Sequence, residues 1–222
     1  MDITILYEDA HLVVCIKPRG VLSQSDSRGN PAMPELLAEK CGGEIFPIHR
    51  LDREVSGVMV YAKTKRAAAG LSQLVGDHDI FVKHYYAVLE GTPEAESGTL
   101  EDLLFHDRFK NKTYVVDRMR GNVKHAKLTY RTLATLEHEG RPITLVDIRL
   151  HTGRTHQIRV QFASRNLPLA GDKKYGAKTS GDIALFSHGL SLPHPITKRP
   201  LEHNILPPEE GIWQLFSACD LP

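Results

Sequence analysis

Three long runs rich in β-branched and aromatic residues, at 81–89, 124–136 and 143–150, are spaced with few helical segments between them. That spacing favours an antiparallel or mixed sheet over a parallel one. The chain opens on a hairpin signal: residues 3–7 and 12–16 are strand-like runs either side of Glu8-Asp9-Ala10-His11, and Lys17-Pro18-Arg19-Gly20 then turns the chain. A short helix is expected over 34–40, ended by Gly42-Gly43, and a buried strand over 58–62. Residues 65–75 set Ala68, Leu71, Leu74 and Val75 on one helical face suited to packing on a sheet. A helix is expected over 154–165, then a strand over 184–192, then a Pro-bearing tail closing at 213–216. The reading is one α+β domain over residues 1–222, with room for two lobes, on a curved central sheet.

Hydrophobic residues at 41% and charged residues at 25% exclude a disordered or fibrous chain. The net charge of +1 conceals a local asymmetry. Arg108, Lys110, Lys112, Arg118, Arg120, Lys124, Lys127 and Arg131 are opposed within their stretch only by Asp117. Arg149, Arg154, Arg159, Arg165, Lys173, Lys174 and Lys178 are opposed only by Asp172. Such runs are ordinarily solvated faces, but lining one cleft they would suit a polyanion by releasing the counterions of its phosphates. Cys15, Cys41 and Cys219 are few, odd in number and widely spaced, which fits neither a disulfide framework nor a Cys-x-x-Cys metal site. With no basic leader and no apolar run of membrane-spanning length, a soluble cytoplasmic protein is expected.

Several chemistries lack their usual groups. There is no Gly-x-x-x-x-Gly-Lys-Ser/Thr loop, no strand-linked Gly-x-Gly-x-x-Gly and no Gly-x-Ser-x-Gly elbow. His151 and His156 are five apart and do not stack on one helical face as a zinc-binding pair would. What remains is Asp52, a short carboxylate among cations in Ile48-His49-Arg50-Leu51-Asp52-Arg53-Glu54-Val55-Ser56-Gly57, and the basic stretch Gly153-Arg154-Thr155-His156-Gln157-Ile158-Arg159. A carboxylate beside a guanidinium is ionised at neutral pH, so it can attack an electrophilic carbon or stabilise a cation without a general base. The plainer reading of Asp52 is a turn cap paired with a surface arginine. A metal-dependent nuclease using Asp52 and Glu54 is weakened by the lack of a further acidic ligand nearby.

Taken together, spaced motifs across nearly the whole chain resemble the RluA-type pseudouridine synthases. Lys17-Pro18-x-Gly20 is similar to the first family motif. Pro47-Ile48-His49-Arg50-Leu51-Asp52, with Ser56-Gly57 and Ala62-Lys63, is similar to the second, which carries the catalytic Asp. Lys83-x-Tyr85-x-Ala87 with Gly91 resembles the strand of the active-site Tyr, and Leu150-x-Thr152-Gly153-Arg154-Thr155-His156-Gln157-Ile158-Arg159-Val160 resembles the third motif. Gly171-Asp172-x-x-Tyr175-Gly176 and His194-Pro195 also have counterparts. Val55 stands where the family usually has Thr, and Gln161 where His is common.

The resemblance implies a pseudouridine-synthase-like fold: a mixed, mostly antiparallel curved sheet with flanking helices and a central cleft. It implies an isomerase that breaks the N-glycosidic bond of a uridine in rRNA or tRNA, turns the base and rejoins it through carbon 5. No cofactor and no metal are expected, and the catalytic domain is expected to act as a monomer without an RNA-binding domain ahead of it. Asp52 would attack the anomeric carbon or deprotonate the neighbouring ribose carbon, and the sequence leaves both open. Arg159 would hold Asp52 ionised and aimed, and Tyr85 would stack on the extruded base. Strand alternation allows only one of Tyr85 and Tyr86 to line a cleft, and the resemblance selects Tyr85. Arg50 would fill the gap left by the flipped base, with His49 pointing the other way; Arg154, Lys17 and His156 complete the RNA-binding set. Retention of Asp52, Tyr85 and Arg159 together favours the enzyme over the alternative, a catalytically silent RNA-binding module.

Overall fold

The computed structural model describes residues 2–219 and 221. In chain order the elements are β1 Ile5–Glu8, β2 Leu12–Lys17, α1 Met33–Cys41, β3 Phe46–Pro47, β4 Ser56–Ala62, α2 Lys65–Leu74, β5 Val82–Glu90, β6 Ser97–Asp107, β7 Lys112–Val116, β8 Val123–His138, β9 Arg141–Leu150, α3 Gln157–Ala163, β10 Leu185–Pro193 and β11 Pro200–Asn204. Two 3-10 turns occupy Lys173–Tyr175 and Gly211–Phe216. The chain divides into two units, Met1–Lys83 with Phe186–Ile205, and His84–Leu185 with Leu206–Pro222.

In the first unit β1 and β2 form the expected hairpin, and β2 runs antiparallel to β4 with Lys17 opposite Gly57. Strand β4 pairs in parallel with β10, which carries β11 on its other side in antiparallel sense. The sheet is therefore mixed. Thr64 caps α2 by accepting the Ala67 N–H, and the helix lays Ala67 and Leu71 on Leu12, Val14, Val58, Val60, Ala62 and Phe81. The expected face of Ala68, Leu74 and Val75 packs at the margin of that core.

In the second unit β5, β9, β8, β6 and β7 follow one another in consistently antiparallel pairs. Tyr86 and Val88 of β5 meet Ile143 and Leu145 of β9 and Phe216 of the closing turn in one core. A second small core joins Leu104, Ala126 and Val160, fixing α3 against β6 and β8. The sequence did not announce β6, β7 or β11: polar residues dilute β6, and β7 sits inside the basic run. Helix α3 is shorter than expected. His156 adopts a left-handed conformation, φ 53°, which a right-handed helix cannot contain, so the helix starts only at Gln157. No described helix is long and apolar enough to cross a membrane.

Candidate active site

The Asp52 segment runs between β3 and β4 in the first unit, with a bend at His49, before a tight turn. His49 and Leu51 are buried, whereas Arg50 is exposed and Asp52 partly so, as alternation requires. Leu51 is clamped by Ser23, whose hydroxyl donates to the Leu51 carbonyl at 2.9 Å and accepts its N–H at 3.0 Å. His49 accepts the Val60 N–H through Nε2 at 3.1 Å, which makes it a structural residue tying the segment to β4. The Val55 N–H donates to the Asp52 carbonyl at 3.0 Å, so Asp52 stands at the first corner of a turn.

That turn is fastened to the loop after β2. The Gly20 N–H donates to the Arg53 carbonyl, and Arg53 Nε donates back to the Gly20 carbonyl, both at 2.9 Å. Lys17 is fully buried, and its ammonium donates to the carbonyls of Pro18, Val21 and Arg53 at 2.8, 2.7 and 3.1 Å. Burial lowers its pKa to about 8, against the opposing pull of Glu54 and Asp52. The expectation that Lys17 grips RNA is corrected by this geometry: all three ammonium protons serve carbonyls, and the residue positions the loop instead.

In the second unit, Tyr86 is in the core and its phenol is pushed up to about 12 by burial. Tyr85, pointing to the other face of β5, is 5% exposed. On α3, Arg159 makes a bidentate pair with Asp172, Nε to Oδ2 at 2.6 Å and Nη2 to Oδ1 at 2.8 Å. Asp172 is completely buried, and the guanidinium also lies 5.1 Å from the centroid of the Tyr175 ring. The Tyr175 oxygen accepts the Thr113 N–H at 2.8 Å and shares a hydrogen bond with His156 Nδ1 at 2.9 Å. Gln157 replaces the missing first turn of the helix, its side-chain oxygen accepting from the Arg154 N–H and the Thr152 hydroxyl. Arg154 Nε donates to the His125 carbonyl at 3.0 Å.

Asp52, Arg50 and Lys17 thus belong to the first unit, and Tyr85, Arg154, His156 and Arg159 to the second. Asp172 and Tyr175 are partners of Arg159 that the sequence reading left without a role, although their motif was visible. Gln161, one of the two family departures, is completely buried and donates to Leu100 O and Asp102 Oδ2 at 3.2 and 2.7 Å. The other, Val55, is buried. The β6–β7 turn is also richer than sequence suggested. Fully exposed Phe109 stands there between Arg108 and Lys110, Lys112 lies over the Tyr114 and Tyr175 rings, Arg120 lies over Phe105, and Lys174 Nζ donates to Asn111 O.

A family model described as RNA pseudouridylate synthase matches residues 11–164. Ribosomal large subunit pseudouridine synthase D of Zymomonas mobilis is 30% identical over 95% of this chain and 71% of its own length. tRNA pseudouridine synthase C of Vibrio cholerae is 30% identical over 89% of this chain and 88% of its own. Among solved structures, human RNA pseudouridylate synthase domain containing 4 is similar with a TM-score of 0.75 and 25% identity, covering 92% of this chain and 88% of that one.

Proposed function

Because this chain belongs to the RNA pseudouridylate synthase family and is an RNA pseudouridine synthase, an isomerase, we propose that Asp52 carries its chemistry on a uridine of ribosomal or transfer RNA. The observation that carries this reading is the Asp52 corner itself, a partly exposed carboxylate on a turn whose backbone is held by Ser23, Lys17 and Gly20. A reactive group needs that kind of fixed backbone, because a displacement of about 1 Å costs roughly a hundredfold in rate. Names of relatives such as the Zymomonas and Vibrio proteins support the two RNA classes.

In this reading Asp52 attacks the anomeric carbon or removes the proton of the neighbouring ribose carbon, and the N-glycosidic bond breaks. The base turns, a bond forms between the anomeric carbon and carbon 5, and the proton of carbon 5 is released while the former glycosidic nitrogen gains one. Electrons balance without an oxidant or reductant. Tyr85 stacks on the flipped base, Arg50 enters the vacated place in the RNA stack, and Arg159 serves the Asp52 step. Arg154 and His156 contribute to RNA binding, His156 through the Tyr175 hydroxyl. The protein acts as a monomer in the cytoplasm, without a metal.

The experiment is release of tritium from carbon 5 of uridine in bulk RNA. Wild-type protein releases it in the presence of a chelator, Asp52→Asn does not, and Tyr85→Phe releases it slowly while keeping most of its RNA affinity. Unchanged release by Asp52→Asn would sink the assignment, as would loss of activity on chelation. RNA binding without any release by the wild type would favour the silent module.

A further inference from the structure

Phe109 sits at the apex of the β6–β7 turn with its ring in water. At 104% relative exposure it stands far above the other exposed large apolar side chains among the described residues, of which Leu206 follows at 65%, and it is the only aromatic ring in that group. Such a ring forgoes the burial by which aromatic side chains support a fold. Single apolar side chains on a surface are ordinary, but this one is held there by its turn. The Asp107 carboxylate accepts the Phe109 and Lys110 N–H groups on Oδ1, both at 3.0 Å, and Asn111 closes the turn in a left-handed conformation, φ 44°. Lys174 Nζ donates to the Asn111 carbonyl at 3.0 Å. Below the apex the Thr113 hydroxyl donates to the Thr155 carbonyl at 2.8 Å, and Lys112 lies 5.2 Å from the centroid of the Tyr175 ring. The turn is thus fastened to the segment that enters α3 and to the tyrosine lying against the Arg159 guanidinium. An apex formed in advance loses little conformational entropy when a ligand lands on it.

Charge selects the ligand. Arg108 and Lys110 flank Phe109 and are exposed, Lys112 and Lys174 follow at the base of the turn, and the carboxylate of the turn, Asp107, is engaged by backbone N–H groups. An exposed aromatic ring between cations suits a nucleic-acid strand, with the ring stacking on an unpaired base and the cations facing the adjoining phosphates. An apolar protein surface would instead have to strip water from a charge on each side of one ring. The isomerised uridine is a different base, because a flipped base is received in a snug pocket and Phe109 has no enclosure.

We propose that Phe109 stacks on a second, unpaired base of the substrate RNA, apart from the uridine that is isomerised, and so favours RNA loops over duplexes. Every base has a π-face, so the contact reads the unpaired state and not the identity of the base. The proposal rests on RNA as the substrate and not on the role of Asp52.

The test is RNA binding by fluorescence anisotropy, with a labelled stem-loop RNA carrying uridine in its unpaired loop and a blunt RNA duplex of the same composition. Phe109→Ala should weaken binding of the stem-loop about tenfold and Phe109→Leu nearly as much, whereas Phe109→Trp should bind at least as well as the wild type. Duplex affinity should be the same in all four proteins. Melting temperatures should not change, because a fully exposed ring supports no packing. Phe109 carries no charge, so Phe109→Ala should leave the slope of affinity against salt unaltered, while Arg108→Ala with Lys110→Ala should flatten it. Wild-type affinity of Phe109→Ala for the stem-loop would overturn the stack, and so would an equal loss on the duplex. Full affinity in Phe109→Leu would overturn it in favour of a merely apolar contact, and a lowered melting temperature in Phe109→Ala would make the ring part of the fold. Failure of the wild type to bind either RNA would overturn RNA as the substrate and the stack with it, whereas binding indifferent to Phe109 would remove the stack alone.

Discussion

Gly57 is the residue at which the Asp52 loop has least room. It has φ 130°, and a Cβ added there would lie 2.2 Å from the Ser187 carbonyl oxygen and 2.6 Å from the Ser187 nitrogen, at the parallel pairing of β4 with β10. Both the backbone angle and the space therefore demand glycine. Gly57→Ala is expected to destabilise the protein by about 3 kcal/mol or more, read from the urea midpoint. A change within about 0.5 kcal/mol would show that β10 yields freely. Tyr85 and Tyr86 make the other point at this scale. Alternation separated them in the sequence, the resemblance selected Tyr85 for the cleft, and the fold puts Tyr86 in the core with Val88. Lys17 is the residue whose reading changed most, because an ammonium beside Pro18 and Arg19 looks solvated until the folded loops supply three carbonyls.

Among the elements, α3 and the turn at Lys173–Tyr175 work as one piece. Asp172 takes the Nε and Nη2 edge of Arg159, Tyr175 lies against its guanidinium, and Thr113 of β7 fixes the Tyr175 hydroxyl. Leaving a buried guanidinium without its carboxylate costs roughly 3–5 kcal/mol. Asp172→Asn, which keeps size and one acceptor, is expected to lose about 2 kcal/mol of stability and to lower kcat roughly tenfold, with KM nearly unchanged. The check is steady-state kinetics beside thermal melting. Loss of stability with unaltered kcat would confine Asp172 to the fold, whereas Asp172→Glu should recover part of the rate if charge is what Arg159 needs. The left-handed His156 and the Gln157 side chain explain why residue periodicity placed the start of α3 three residues early: the first turn is built from side-chain hydrogen bonds, which no apolar pattern reports.

For the whole molecule, both basic runs belong to the second unit, where acidic residues outside the runs nearly balance them. RNA affinity is expected to fall by at least about tenfold between 50 and 200 mM salt, with a slope of about 0.7 per phosphate neutralised. Arg118→Ala with Arg120→Ala should flatten that slope, measured by fluorescence anisotropy at several salt concentrations, and an affinity indifferent to salt would remove electrostatics from the account. The amino-acid sequence by itself determined the opening hairpin, helix α2, the long strands β5, β8 and β9, and the motif order that identified the family, because these are local periodicities and spacings. It passed over β6 and β7, whose polar residues hide the alternation until neighbouring strands complete the ladder. Only the tertiary structure decided that Lys17 is spent on carbonyls and that Asp172 is the buried carboxylate of Arg159. Each of these depends on what a distant segment brings or fails to bring, and a side chain's neighbours across the fold are not written in its local pattern.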